Sequence, residues 1–124
     1  MATTTANTGS NQNVGLVLDD DALVRESVAT ILEEMCDCVY QAGDGVEGLR
    51  ILDEHPDISL VVTDIAMPRL DGLAFADAAR RLHPGLRVLF VSGMQRPPPS
   101  ETFLEKPFPL RALVSAVHQL LEAP

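Results

Sequence analysis

Short apolar runs and amphipathic stretches alternate along this chain from Val14 onward. Val14–Leu18 is uncharged and mostly aliphatic, the length of a buried strand. Residues 22–35 follow as a helix, with Val24, Val28, Ile31, Leu32 and Met35 falling on one face. Cys38–Ala42 reads as a second, weaker strand. Asp44, with Glu47 in the capping-box position after it, starts another helix. That helix, Gly45–Glu54, turns Val46, Leu49 and Leu52 inward until His55-Pro56 stops it. Residues 58–63 form a third strand, apolar enough for the centre of a parallel sheet covered on both faces. A turn-rich loop, residues 67–72, leads to a helix over residues 73–82, which His83-Pro84-Gly85 breaks. Residues 87–91 and Thr102–Glu105 are the fourth and fifth strands. Pro109 suits the first turn of a last helix, whose inward stripe is Leu110, Leu113, Val114, Val117, Leu120 and Leu121.

Strands and helices alternating in this order, joined by right-handed crossovers, predict a doubly wound parallel α/β sheet with helices on both faces. The carboxyl ends of such strands open onto one crevice. Asp19-Asp20-Asp21 closes the first strand, Asp64 the third, Ser92 the fourth and Lys106 the fifth. If the first and third strands are neighbours, Asp19, Asp20 and Asp64 converge, and like charges that close do not all stay ionised without a cation. An oxygen-only cluster favours a hard ion, Mg²⁺ or Mn²⁺. Asp64 is then the candidate nucleophile toward a phosphoryl group, with Lys106 and Ser92 serving the phosphate oxygens. A single Asp at a strand end is more often a turn former or helix cap. Asp21 takes that reading, solvated or capping the first helix, and so do Asp44 and Asp71. The joint occurrence of the others in the correct strand order carries the functional reading.

Composition narrows the field. The 124 residues fit one domain, and 46% hydrophobic residues are enough for a core. Nine basic residues against eighteen acidic ones give a net charge of −9, and the basic residues are scattered, so direct nucleic-acid binding is not expected. No run approaches a membrane span, and the N-terminus lacks a signal-peptide pattern, so a cytoplasmic location is expected. Residues 1–13 are rich in Thr, Asn and Ser and read as a disordered polar tail, leaving 14–122 as the domain. Cys36 and Cys38 have no second pair, and His55, His83 and His118 stand at no ligand spacing. The cysteines therefore read as ordinary thiols.

The stretches VGLVLDDDALVR, VVTDIAMPRLDG, LFVSG and FLEKPF resemble the receiver domain of two-component response regulators, from Val14 to about Glu122. The resemblance implies a flavodoxin-like five-stranded sheet of order 2-1-3-4-5. It also implies phosphorylation of Asp64 by a sensor histidine kinase or histidine phosphotransfer protein, with slow autodephosphorylation and otherwise no enzyme activity. Asp20 resembles a direct Mg²⁺ ligand, with Asp19 beside it, and Ala66 would lend its backbone carbonyl. Ser92 resembles the switch hydroxyl, Phe103 takes the place of the switch aromatic, and Lys106-Pro107 is expected to be cis. With no output domain, the expected readout is a downstream protein target or a relay.

Two departures stand out. Only ten residues separate Ser92 from Phe103, and three are the consecutive Pro97-Pro98-Pro99. Proline runs favour extended backbone, so the helix between strands four and five is expected to be missing or reduced. Its loss predicts an uncovered apolar surface near Val88, Phe90 and Leu104, available to a partner or a second copy as a homodimer. Phe103 and Ala66 also lack the polar groups common at their places. Other readings stand beside the receiver. One is a pseudo-receiver working without phosphorylation. Another is a nucleotide-binding enzyme, from the Gly43-Asp44-Gly45-Val46-Glu47-Gly48 run. A third is an aspartyl phosphatase of the dehalogenase type, which position 66 disfavours because it is Ala.

Overall fold

In a computed structural model, which describes residues 13–122, the chain runs β1 (Val14–Leu18), α1 (Ala22–Leu32), β2 (Cys38–Ala42), α2 (Gly45–Glu54), β3 (Leu60–Asp64), α3 (Gly72–Leu82), β4 (Arg87–Ser92), β5 (Thr102–Glu105) and α4 (Leu110–Glu122). The strands form one sheet of order β2-β1-β3-β4-β5, parallel throughout. This is the flavodoxin-like arrangement expected.

Alternation along the strands divides the core in two. Leu16, Leu18, Val61, Val88 and Phe90 face α2 and α3, where they meet Ile51, Leu52, Phe75, Ala76 and Ala79. Val17, Leu60, Val62, Leu89 and Val91 face the other way, toward Val28 and Leu32 of α1 and Leu113 and Val117 of α4. Burial on both faces is why β1 carries no polar side chain and β3 none before Thr63.

The helix starts are set by carboxylates. Asp21 accepts the amides of Leu23 and Val24, Asp44 that of Glu47, and Asp71 that of Ala74. Each cap is worth about 1 kcal/mol. The Glu47 side chain returns to the Gly43 amide at 2.8 Å, one residue outside the usual capping-box position.

Some expected boundaries shift. α1 ends at Leu32 rather than Met35, because Glu34 and Met35 donate to carbonyls three residues back and tighten the chain into a turn. Met35 stays buried all the same. Val46 and Leu110, expected inward, are 46% and 60% exposed. Both stand in the first turn of their helix, before it has come down over the sheet. Asn13, expected in the tail, prolongs the sheet entry instead: its carbonyl accepts the Asp37 amide and its side chain the Ser59 hydroxyl. The rest of that expected tail lies outside the described residues. No helix among the described residues is long and apolar enough to cross a membrane.

Between β4 and β5 there is no helix. The connection is a strap with a single turn, closed by Glu101 donating its amide to the Pro98 carbonyl at 3.0 Å. The uncovered surface expected at Val88, Phe90 and Leu104 is not found there. Val88 and Phe90 are buried, and Leu104 packs half-buried on the opposite face. α3 reaches far enough to cover β4, and the strap is drawn onto the sheet by a two-point ion pair between Arg80 of α3 and Glu101, at 2.7 and 2.8 Å. Phe103 is also half-covered, and its ring lies under the Arg96 guanidinium.

Candidate metal and phosphoryl site

Asp19 follows the last residue of β1. Its amide donates to the Ala42 carbonyl of β2, and its Oδ1 accepts the Asp21 amide, so backbone and side chain are both fixed. Arg25 adds a third restraint, donating Nη1 to the Asp19 carbonyl at 2.8 Å and Nε to Gln41. Asp64 is the last residue of β3, and its Oδ1 accepts the Ala66 amide at 3.3 Å. The chain turns sharply after it: the Gly72 amide donates to the Ile65 carbonyl, and a Cβ at Gly72 would stand 2.0 Å from the Asp64 carbonyl oxygen. Only glycine permits that approach.

β1 and β3 are neighbours, so the two carboxylates meet. Lys106 Nζ donates to Asp19 Oδ2 at 2.8 Å and to Asp64 Oδ2 at 3.0 Å. Burial pulls the Lys106 ammonium down, but hydrogen bonds to Asp19 and Asp64, together with their charge, outweigh it and hold the group above the ordinary lysine value. Lys106 is itself positioned by donating its amide to the Ser92 carbonyl, and Lys106-Pro107 is cis, as expected. Asp20 is exposed beside them. Asp19, Asp20 and Asp64 offer ligand atoms within 4.8 Å of one another. Two carboxylates at that range repel by about 3–4 kcal/mol at an effective dielectric of about 20. Three carboxylates and one ammonium leave a formal charge of −2. An all-oxygen donor set with that charge fits a hard divalent cation.

The other expected residues are placed less centrally. Ser92 is buried at the end of β4, where its Oγ accepts the Met94 and Gln95 amides. Phe103 lies in β5, register partner of Phe90. Asp21 is a helix cap, as one of its two expected readings had it.

Sequence reading missed Arg25 and Arg69. Arg69 takes φ 68°, in the left-handed region, and donates Nε and Nη2 to Asp44 Oδ2 at 3.0 and 2.7 Å. The Glu47 amide, and then Arg69, hold the Asp44 carboxyl below the usual range. This clamp ties the β3–α3 loop to the start of α2. Nothing in the spacing of Asp44 and Arg69 signals that they meet.

The glycine-rich run also has a packing explanation. A Cβ at Gly45 would stand 2.6 Å from the Leu70 carbonyl, and one at Gly48 2.5 Å from Leu18 Cδ2. These glycines let α2 lie against the β3–α3 loop and against β1. They are accounted for without a bound phosphate.

A parallel sheet of this strand order, with an acidic crevice at its carboxyl edge, is the flavodoxin-like fold. A family model for the response regulator receiver domain matches residues 16–118, and the chain belongs to that family. The response regulator receiver protein CpdR of Brucella abortus is 32% identical over 87% of this chain and 96% of its own length. The sensor kinase CckA of the same organism is 34% identical over 86% of the chain, which spans 12% of that kinase. A crystal structure of the receiver domain from the hybrid histidine kinase CckA is similar with a TM-score of 0.78 and 32% identity, covering 89% of this chain and all of that one. The family is a signalling module of two-component systems rather than a conventional enzyme.

Proposed function

We propose that this chain accepts a phosphoryl group on Asp64 from a histidine kinase or histidine phosphotransfer protein. The observation that carries the proposal is Lys106 Nζ bridging Asp19 Oδ2 and Asp64 Oδ2. A fixed cation beside the Asp64 carboxylate supports that reading. An Asp64 carboxylate oxygen attacks the phosphorus of a phosphohistidine. A P–O bond forms as the P–N bond breaks, and the electron pair leaves on the imidazole. Lys106 then neutralises a phosphoryl oxygen and Ser92 turns its hydroxyl to another. Asp19, Asp20, Asp64 and the Ala66 carbonyl would hold Mg²⁺ or Mn²⁺, which supplies charge neutralisation of the transferring group. The product is an acyl phosphate whose slow hydrolysis resets the domain. Its readout is a protein target or a further carrier, in the cytoplasm.

Acetyl phosphate with Mg²⁺, read by intact mass, tests this. One phosphate is expected on the wild type and none on Asp64→Asn. A variant that still takes phosphate ends the assignment. A wild type that refuses phosphate from acetyl phosphate and from every histidine kinase of the host points to the pseudo-receiver instead.

A further inference from the structure

The loop that follows Asp64 is anchored on α2 by a pair that phosphoryl chemistry does not use. The Leu70 amide donates to the Pro68 carbonyl at 2.8 Å, two residues back, with Arg69 between them at φ 68°. A three-residue turn with a positive central φ is rare and strained, and a side chain there adds a cost that glycine avoids. Arg69 occupies it all the same. From there its guanidinium donates Nε and Nη2 to Asp44 Oδ2 at 3.0 and 2.7 Å. The other carboxylate oxygen, Oδ1, accepts the Glu47 amide at 2.9 Å, so Asp44 is already fixed to the first turn of α2. Gly45, the next residue, donates its amide to the Leu70 carbonyl at 3.2 Å.

This pair differs from an open surface ion pair, which holds little. Arg69 is exposed, but the Asp44 side chain is only 14% exposed. Two charge-assisted hydrogen bonds to an immobilised carboxylate set direction as well as distance. The loop is held again at Ile65, whose carbonyl accepts the Gly72 amide at 2.8 Å and whose amide donates to the Val91 carbonyl at 3.3 Å. Ala66, Met67 and Pro68 span the gap between these two anchorages. The Ala66 carbonyl therefore belongs to a short span tied down at both ends, and one tie is Arg69 on Asp44.

We propose that Arg69 and Asp44 are positioning residues for the divalent cation: by clamping the loop to α2 they aim the Ala66 carbonyl and favour Mg²⁺ over a larger ion such as Ca²⁺. The proposal rests on the reading above in which that carbonyl is a metal ligand. Mg²⁺ demands near-octahedral geometry at about 2.0–2.1 Å, whereas Ca²⁺ accepts irregular contacts of about 2.3–2.6 Å. A clamped carbonyl suits the smaller ion, and loosening it costs the smaller ion more. Charge alone predicts something else. Arg69 is a cation near an acidic crevice, so deleting it with no positioning role tightens every divalent ion, and deleting the Asp44 charge weakens every one. Under the clamp, both changes weaken Mg²⁺.

NMR of the labelled protein, with Mg²⁺ and Ca²⁺ added in separate series, tests this without phosphoryl transfer. The Asp20 amide gives each Kd, and the Ala66 carbonyl ¹³C signal reports ligation. Arg69→Gly, which also relieves the turn, and Asp44→Asn, which keeps a capping side chain, are each expected to raise the Mg²⁺ Kd. The rise should be about 3- to 10-fold, below the roughly 10- to 100-fold typical of partners that touch a ligand directly. The Ca²⁺ Kd should change less than about 2-fold, because that ion tolerates a looser shell. Arg69→Lys keeps the charge without the two-point contact and should weaken Mg²⁺ in the same direction. Opposite shifts for Arg69→Gly and Asp44→Asn, an equal factor for both ions, or constants that stay at wild type in all three variants would each overturn the positioning role. A wild type whose Ala66 carbonyl signal Mg²⁺ does not move overturns the ligand reading itself, which is a different result from wild-type ligation that survives the substitutions.

Discussion

A Cβ placed on Gly72 would lie 2.0 Å from the carbonyl oxygen of Asp64. That contact is backbone against backbone, so neither side gives cheaply. Gly72→Ala is expected to cost about 2–4 kcal/mol in urea unfolding, at or above the upper range for overpacking. Gly85, where an added Cβ meets nothing within 4 Å, is the matched control. Gly85→Ala should stay within about 0.5 kcal/mol of the wild type.

Two of the three consecutive aspartates, Asp20 and Asp21, should separate cleanly by role. Mg²⁺ at ten times its Kd should stabilise the wild type by about 1.4 kcal/mol in thermal unfolding. Asp20→Asn should remove that increment with little effect on metal-free stability, since Asp20 is exposed. Asp21→Ala should instead cost about 1 kcal/mol with or without metal, the value of a helix cap. Equal loss of the Mg²⁺ effect in both variants would contradict the assignment.

Arg80 and Glu101 should give the strap a pH-dependent anchor. The hydrogen bond from Arg80 holds the Glu101 carboxyl below the ordinary glutamate value. A depressed carboxylate contributes stability that is present above its unfolded pKa and is lost as pH falls through the lower folded value. Glu101→Gln should therefore cost about 1 kcal/mol at pH 7, allowing for the solvent access of Arg80. The difference from wild type should fade below the unfolded glutamate value, near pH 4.3. Urea unfolding of both proteins at neutral and acid pH reads the difference directly.

The two thiols should differ in reactivity. Burial, and then the charges of Asp37 and Cys38, push the Cys36 thiol up to about 11. Because the thiolate is the reactive form, iodoacetamide at pH 8 should label exposed Cys38 and spare Cys36 until the protein is unfolded. Peptide mapping by mass spectrometry checks the order.

Four of the strand ends were legible in the sequence because the runs of β1, β3, β4 and β5 each stop at a polar residue. Asp19, Asp64, Ser92 and Lys106 could be named without coordinates, and so could the missing crossover helix, from Pro97-Pro98-Pro99. What stayed hidden depends on contacts between distant elements. Val88 and Phe90 looked uncovered because nothing local shows that Arg80 holds Glu101 against the sheet. Arg69 drew no reading because its partner Asp44 is far away in sequence, and its left-handed backbone leaves no compositional trace. Val46 and Leu110 fit the helical period but stand where the first turn overhangs the sheet.

Lys106 and Asp19 are separated by 87 positions. Their strands, β5 and β1, do not touch, since β3 and β4 lie between them. The ion pair therefore exists only when the whole sheet has closed in its correct order. A nascent or partly unfolded chain has the aspartates but not the lysine in place, so its charge cluster is unfinished. The finished cluster is in this sense a certificate of complete folding.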